Sequence, residues 1–137
     1  MAVFTDPPAW RPTSEDPVDD QFGHVVEGTT LDDADAFDSV LVGVPYDGAV
    51  ISRRGASEGP SAIRGALAST KTHHFDAGPV VSVGDLGDVG VPQGPTAMVQ
   101  SAIADTTREV HDVDATAVFL GGDNSTTYAN ASPLLDA

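Results

Sequence analysis

Three short apolar runs stand out along the chain, at residues 39–44 (Ser39-Val40-Leu41-Val42-Gly43-Val44), 80–83 and 115–120. Pro45, Gly84 and Gly121 end them. Runs of this length, apolar on neighbouring positions, read as strands buried on both faces. Between them the pattern changes to a helical period. Over 60–69, Pro60 suits a first helical turn and Ile63 and Leu67 fall on one face. Over 95–111, Met98, Val99, Ala102, Ile103, Thr106 and Val110 form one stripe. A further helix begins at Thr126 and runs to about Leu135. Glycine-rich loops at 46–59 and 85–94 separate the elements. Buried strands alternating with helices predict an α/β fold with a parallel sheet.

Residues 1–36 lack such a pattern. They are rich in Pro and Asp, and read as an acidic N-terminal surface arm, either pinned to the body by Trp10 and Phe22 or disordered. Residues 37–137 make up the α/β unit. At 137 residues the chain is one domain's worth.

Charge sharpens this picture. The net charge is −15, from 17 Asp and 4 Glu against 5 Arg and a single lysine, Lys71. That balance argues against nucleic acid and against anionic membranes, both of which need basic patches. The acidic residues are spread along the whole chain, which fits adaptation to high salt. There is no cysteine, hence no disulfide and no thiolate chemistry. The first eight residues have no basic start or apolar core of a secretory signal, and no run approaches a membrane span. A cytoplasmic protein is expected.

Candidate chemistry gathers where strands end. Leu120-Gly121-Gly122-Asp123-Asn124-Ser125 follows the third apolar run, the place where ligands sit in open α/β sheets. Ser125 has no G-x-S-x-G setting and reads as a helix N-cap. Gly84, Gly87 and Gly90 have the wrong spacing for a dinucleotide loop, and Pro92 stands where a helix should open. His73 and His74 are adjacent and cannot share one metal easily; His24 and His111 are isolated. Asp85 and Asp88, at a strand end beside glycines, could be catalytic, metal-binding or loop-capping, and read as structural. Arg53, Arg54 and Arg64 hold half of the basic charge within 12 residues. Their partners could be internal Asp residues, a neighbouring subunit or an anionic substrate.

Four segments in order carry a resemblance: Val42-Gly43-Val44-Pro45-Tyr46-Asp47-Gly48, Arg54-Gly55-Ala56-Ser57-Glu58-Gly59-Pro60-Ser61-Ala62-Ile63-Arg64, Asp85-Leu86-Gly87-Asp88 and Leu120-Gly121-Gly122-Asp123-Asn124-Ser125. The series resembles the N-terminal part of the ureohydrolases, the family of arginase, agmatinase and formimidoylglutamase. The Arg-Arg-Gly-Ala-Ser-Glu-Gly-Pro stretch and the acidic arm are most similar to formimidoylglutamases of salt-loving archaea. The resemblance implies a three-layer arginase-like α/β fold, of which this chain is the N-terminal portion. It implies two Mn²⁺ ions that activate water against the carbon of a small amidine substrate, and a homo-oligomer in the full-length form. Asn124 stands where the family has its first histidine ligand, so it is the metal candidate. Arg53, Arg54 and Asp123 are candidates for substrate binding or for structure. The family's D-A-H-x-D and D-x-D ligand motifs lie further along than the four matched segments, and no D-A-H-x-D occurs in this sequence. No catalytic residue is therefore expected within it, and the chain alone is expected to be inactive. Formimidoylglutamate is the expected substrate class, with an agmatinase- or arginase-type activity, an inactive remnant or a binding module as alternatives.

Overall fold

A computed structural model describes residues 3–15, 20–50, 54–74, 78–79 and 82–135. The elements in chain order are α1 (Phe22–Val25), β1 (Glu27–Gly28), β2 (Ser39–Val44), α2 (Gly59–Ala68), β3 (His73–His74), β4 (Gly78–Pro79), β5 (Val83–Asp88), α3 (Thr96–His111), β6 (Thr116–Gly121) and α4 (Thr126–Leu135). Strands β1, β5, β2 and β6, in that spatial order, form a four-stranded sheet, and every pair in it is parallel. The α/β fold with a parallel sheet is as the apolar runs predict. β3 and β4 make a separate antiparallel pair.

The sheet is covered on both faces, and the alternation along β2 shows how. Val40, Val42 and Val44 point to one side, where Val99, Ile103 and Val110 of α3 and Ala129 of α4 complete the main core. Leu41 points to the other side and joins Val83 and Val26, with Trp10, Phe22 and Leu67 packed around them. Trp10 and Phe22 thus sit in the second core. The N-terminal residues also run along β5: Phe4 bridges Val89, and Thr5 N–H donates to the Asp88 carbonyl at 2.8 Å.

The second strand departs from expectation. It starts at Val83 and runs through Gly84, Asp85, Leu86 and Gly87 to Asp88, where a loop was expected. Val80 and Val81 lie outside the described residues. Glycine and aspartate disfavour strands in isolation. Here the Asp85 carboxylate is matched by a buried cation, and Gly87 supplies a bulge. Leu41 pairs with Asp85 and Gly43 with Asp88, so β5 carries one extra residue across that step. Gly87 has φ +87°, and a Cβ there would collide with the Thr5 carbonyl oxygen. The bulge turns Asp88 toward Gly43 and the sheet's C-terminal edge.

Two helix faces also differ from the pattern. In α2 the buried residues are Pro60 and Arg64, and Ile63 is exposed. In α3, Val99, Ile103, Thr106, Thr107 and Val110 are buried and Met98 is exposed. In both cases the axis of the buried stripe lies a step away from the most apolar one. A polar partner waits inside: an ion pair for Arg64, and the Ala129 carbonyl, which accepts from Thr107 Oγ1 at 2.8 Å.

Candidate functional site

The C-terminal ends of β2, β5 and β6 meet at one edge of the sheet, as the parallel topology requires. β2 leads into Pro45-Tyr46-Asp47, β5 ends at Asp88, and β6 ends in Gly121-Gly122-Asp123. Gly122 has φ +61°, and a Cβ on it would run into the Val44 carbonyl oxygen. Only glycine allows this close crossing between the ends of β2 and β6. Gly122→Ala is expected to cost about 1 to 3 kcal/mol of stability, read by urea denaturation. A loss below a few tenths would show that the crossing relaxes freely.

Asp123 fastens this edge. Its N–H donates to the Tyr46 carbonyl at 2.8 Å, and its Oδ2 accepts from Ala49 N–H at 3.1 Å. Oδ1 accepts from Ser125 N–H at 3.0 Å and, in a short bond, from the Ser125 hydroxyl. The Asp123 carbonyl accepts from Thr126 N–H and Thr126 Oγ1 at 3.2 and 2.8 Å. Both carboxylate oxygens are therefore engaged within the protein. The turn that opens α4 is organised by Asp123. Ser125 does not cap the helix as expected: its hydroxyl is directed to Asp123 and accepts from Gln100 Nε2 at 2.7 Å. No motif in the sequence marked Gln100; only its place on α3 opposite the turn reveals it.

Asn124 is exposed at the tip of the same turn. Its carbonyl accepts from Thr127 N–H at 3.3 Å. Asn124 offers one neutral oxygen donor. Among the described residues no group of three or more His, Asp or Glu side chains could hold a metal ion. The residues here do not by themselves fit a two-manganese centre. The described histidine side chains are dispersed. His24 Nδ1 accepts from Gln21 N–H at 3.1 Å as part of the capping of α1, and His111 Nε2 lies 2.6 Å from the Asn130 carbonyl. His73 is exposed.

The arginines divide. Arg53 lies outside the described residues. Arg54 is exposed and lies near enough to Asp47 to favour its ionised form. Asp47 Oδ2 accepts from Gly55 N–H at 2.9 Å and from Ser57 N–H at 3.4 Å. The Gly55 bond is the main cause that holds the Asp47 carboxyl below its ordinary pKa; partial burial opposes it, and Ser57 and Arg54 add to it. A carboxylate with a lowered folded pKa stabilises the fold above its ordinary pKa, and the contribution is lost as pH falls through the lowered value. The bonds from Gly55 and Ser57 are thus expected to persist as pH falls through the ordinary aspartate range and to be lost below it. Carboxyl NMR titration should give Asp47 a midpoint below that of free aspartate; a midpoint above it would contradict the geometry.

Arg64 is buried, and its target is internal. Nε and Nη2 donate to the two oxygens of Asp85 at 2.9 Å each, and Nη1 donates to Asp88 Oδ1 at 2.5 Å. Asp85 is fully buried and also accepts from Trp10 Nε1 at 2.8 Å and Gly87 N–H at 2.9 Å. Burial pushes the Arg64 pKa down, but the bonds to Asp85 and Asp88 outweigh it and raise the pKa above its ordinary value. The guanidinium stays charged. Asp85 and Asp88, read from sequence as structural, clamp α2 and the N-terminal residues to β5.

The sequence pattern of the arginase family matches residues 37–136, which contain all of these strand ends. The chain belongs to the arginase family. It is 58% identical over 136 residues to a formimidoylglutamase of Halobacterium salinarum, a match covering 98% of this chain and 44% of that protein. Among solved structures, the fold is similar to that of a formimidoylglutamase from Bacillus subtilis, with a TM-score of 0.79 and 27% identity over 90% of this chain and 40% of that one. A Trypanosoma cruzi formiminoglutamase solved with Mn²⁺ shares the fold at a TM-score of 0.62 and 22% identity, covering 75% of this chain and 36% of that one. The chain thus spans less than half the length of these arginase-family relatives. No helix among the described residues is long and apolar enough to cross a membrane.

Proposed function

We propose that this chain carries part of a formimidoylglutamase, a manganese-dependent hydrolase that converts N-formimidoyl-L-glutamate and water to L-glutamate and formamide. The observation that carries this reading is the 58% identity to the Halobacterium formimidoylglutamase along 98% of the chain. Residues 37–137 would be the N-terminal part of the arginase-like domain and residues 1–36 its acidic arm. The resemblance would make it a cytoplasmic, halophilic protein and, in full-length form, a homo-oligomer.

The reading gives each strand-end residue a task. Asp123 and Asp47 hold the two loops that frame the site, through bonds to Ala49, Ser125, Gly55 and Ser57. Asn124, exposed beside them, is the one residue here at a metal-ligand position of the family. Its side-chain oxygen is of a type that suits Mn²⁺. The other donors would come from the D-A-H-x-D and D-x-D motifs of a longer protein. Arg54, and Arg53 next to it in sequence, put positive charge in the loop after β2. A substrate with two carboxylates would use that charge, and cationic agmatine would be repelled by it.

A chimera tests the proposal. This chain replaces the matching part of the Halobacterium enzyme, and the product is assayed with Mn²⁺ in high salt. Hydrolysis of formimidoylglutamate well above that of agmatine is expected. A preference for agmatine or arginine would refute the substrate assignment.

A further inference from the structure

The first turns of α3 reach the ends of two strands. Thr96 and Gln100 lie four residues apart and so project from one side of the helix. Thr96 Oγ1 accepts from the Tyr46 hydroxyl at 3.2 Å, just after β2. Gln100 Nε2 donates to Ser125 Oγ at 2.7 Å, just after β6. Val99 and Ile103 on the same stretch are buried in the main core, so this part of α3 is a firm platform.

The bonds from Gln100 run in one direction. Asp123 Oδ1 accepts from the Ser125 hydroxyl and from Ser125 N–H, and Oδ2 accepts from Ala49 N–H. A hydroxyl has a single proton. Here it goes to Asp123, so only a lone pair of Ser125 Oγ faces Gln100, and only a donor can meet it. The Gln100 amide is that donor. Gln100 thereby sets the Ser125 hydroxyl, and Ser125 sets the Asp123 carboxylate. The residue between them is Asn124, whose exposed side chain is placed by the neighbour on either side.

We propose that Gln100 is a positioning residue for the turn at 121–125: its amide, donating to Ser125, holds the segment that presents Asn124 in one arrangement. That the turn serves a hydrolase rests on the proposed function; that Gln100 holds it does not. Thr107 supplies the contrast. It too joins α3 to α4 and is fully buried, but its hydroxyl donates to the Ala129 carbonyl, beyond the turn. Pro133, four residues further on, has no N–H for that carbonyl.

The chimera described above carries the test, in high salt. Gln100→Met keeps the length of the side chain and removes the donor. Gln100→Glu keeps the shape and sets a second acceptor against Asp123 for one proton. Each should lower kcat for formimidoylglutamate at least about tenfold, the effect of a small misplacement. Each should leave KM within about twofold, because the charge proposed to hold the substrate lies in the loop after β2. Amide exchange at Ser125, read by mass spectrometry of fragments, should quicken about fivefold or more. Thr107→Val should lower the thermal midpoint more than Gln100→Met does, because it leaves the Ala129 carbonyl without its donor. It should leave kcat and the Ser125 exchange unchanged. Unchanged exchange at Ser125 in both Gln100 variants overturns the proposal, whether or not the chimera is active. So does an active chimera whose kcat is indifferent to Gln100, or falls as far with Thr107→Val. A chimera with Gln100 intact that does not hydrolyse formimidoylglutamate refutes the proposed function alone, and the exchange measurement still decides the role of Gln100.

Discussion

Arg64→Ala is expected to destabilise the fold by about 3 to 5 kcal/mol, the usual result of removing one partner from a buried ion pair. That is a large share of the roughly 5 to 15 kcal/mol by which domains are stable. The cause is Asp85. Its carboxylate is fully buried between α2 and β5, and two of its four hydrogen bonds come from Arg64. Without the guanidinium, a negative charge remains in the core with only Trp10 Nε1 and Gly87 N–H beside it. Asp88 loses its Arg64 bond as well, and Asp88 is where β5 reaches the site. Arg64→Lys keeps the charge but not the two-pronged geometry, so it should cost less than alanine and more than nothing. Urea denaturation of the three proteins in high salt gives the comparison. A loss below about 1 kcal/mol for Arg64→Ala would mean that the cluster contributes no more than an exposed ion pair.

Titrated with Mn²⁺, the chain by itself is expected to bind weakly or not at all, and to hydrolyse neither formimidoylglutamate nor agmatine. Paired-metal catalysis needs two ions roughly 4 Å apart, held by several donors. Here Asn124 supplies one neutral oxygen, and both oxygens of Asp123 already accept bonds from Ala49 and Ser125. Calorimetry and a formamide assay read the two outcomes. Turnover by the 137-residue chain would contradict the expectation outright. In the chimera, Asn124→His should preserve or raise Mn²⁺ affinity, since imidazole is the stronger donor. A large loss of metal there would show that Asn124 is matched to its hydrogen-bonded surroundings or is not a ligand.

The elements best read from the sequence are those whose local pattern and burial agree. β2 is apolar at neighbouring positions because both of its faces are covered, by α3 on one side and by Trp10, Phe22 and Leu67 on the other. The stripe of α3 and the start of α4 at Thr126 were legible for the same reason. β5 was not legible beyond Val83. Gly84, Asp85, Gly87 and Asp88 are loop formers on any local scale, and what makes them a strand is a cation carried by α2. Of the candidate site residues, Asn124 and Asp123 stand out in the sequence because the Gly-Gly-Asp turn is local. Gln100 does not, because its bond to Ser125 joins residues 25 apart.

The sequence by itself thus determined the fold class, the parallel order implied by alternating strands and helices, and the family, all of which follow from periodicity and short motifs. The tertiary structure decided the rest. It paired Arg64 with Asp85 and Asp88 and so turned an apparent loop into a strand. It committed Asp123 to holding the strand ends together. It laid the N-terminal residues along β5, where β1 and Phe4 pair with it. Each of these depends on groups distant in the chain, where the burial of a charge or the pairing of a backbone edge is set by what arrives beside it.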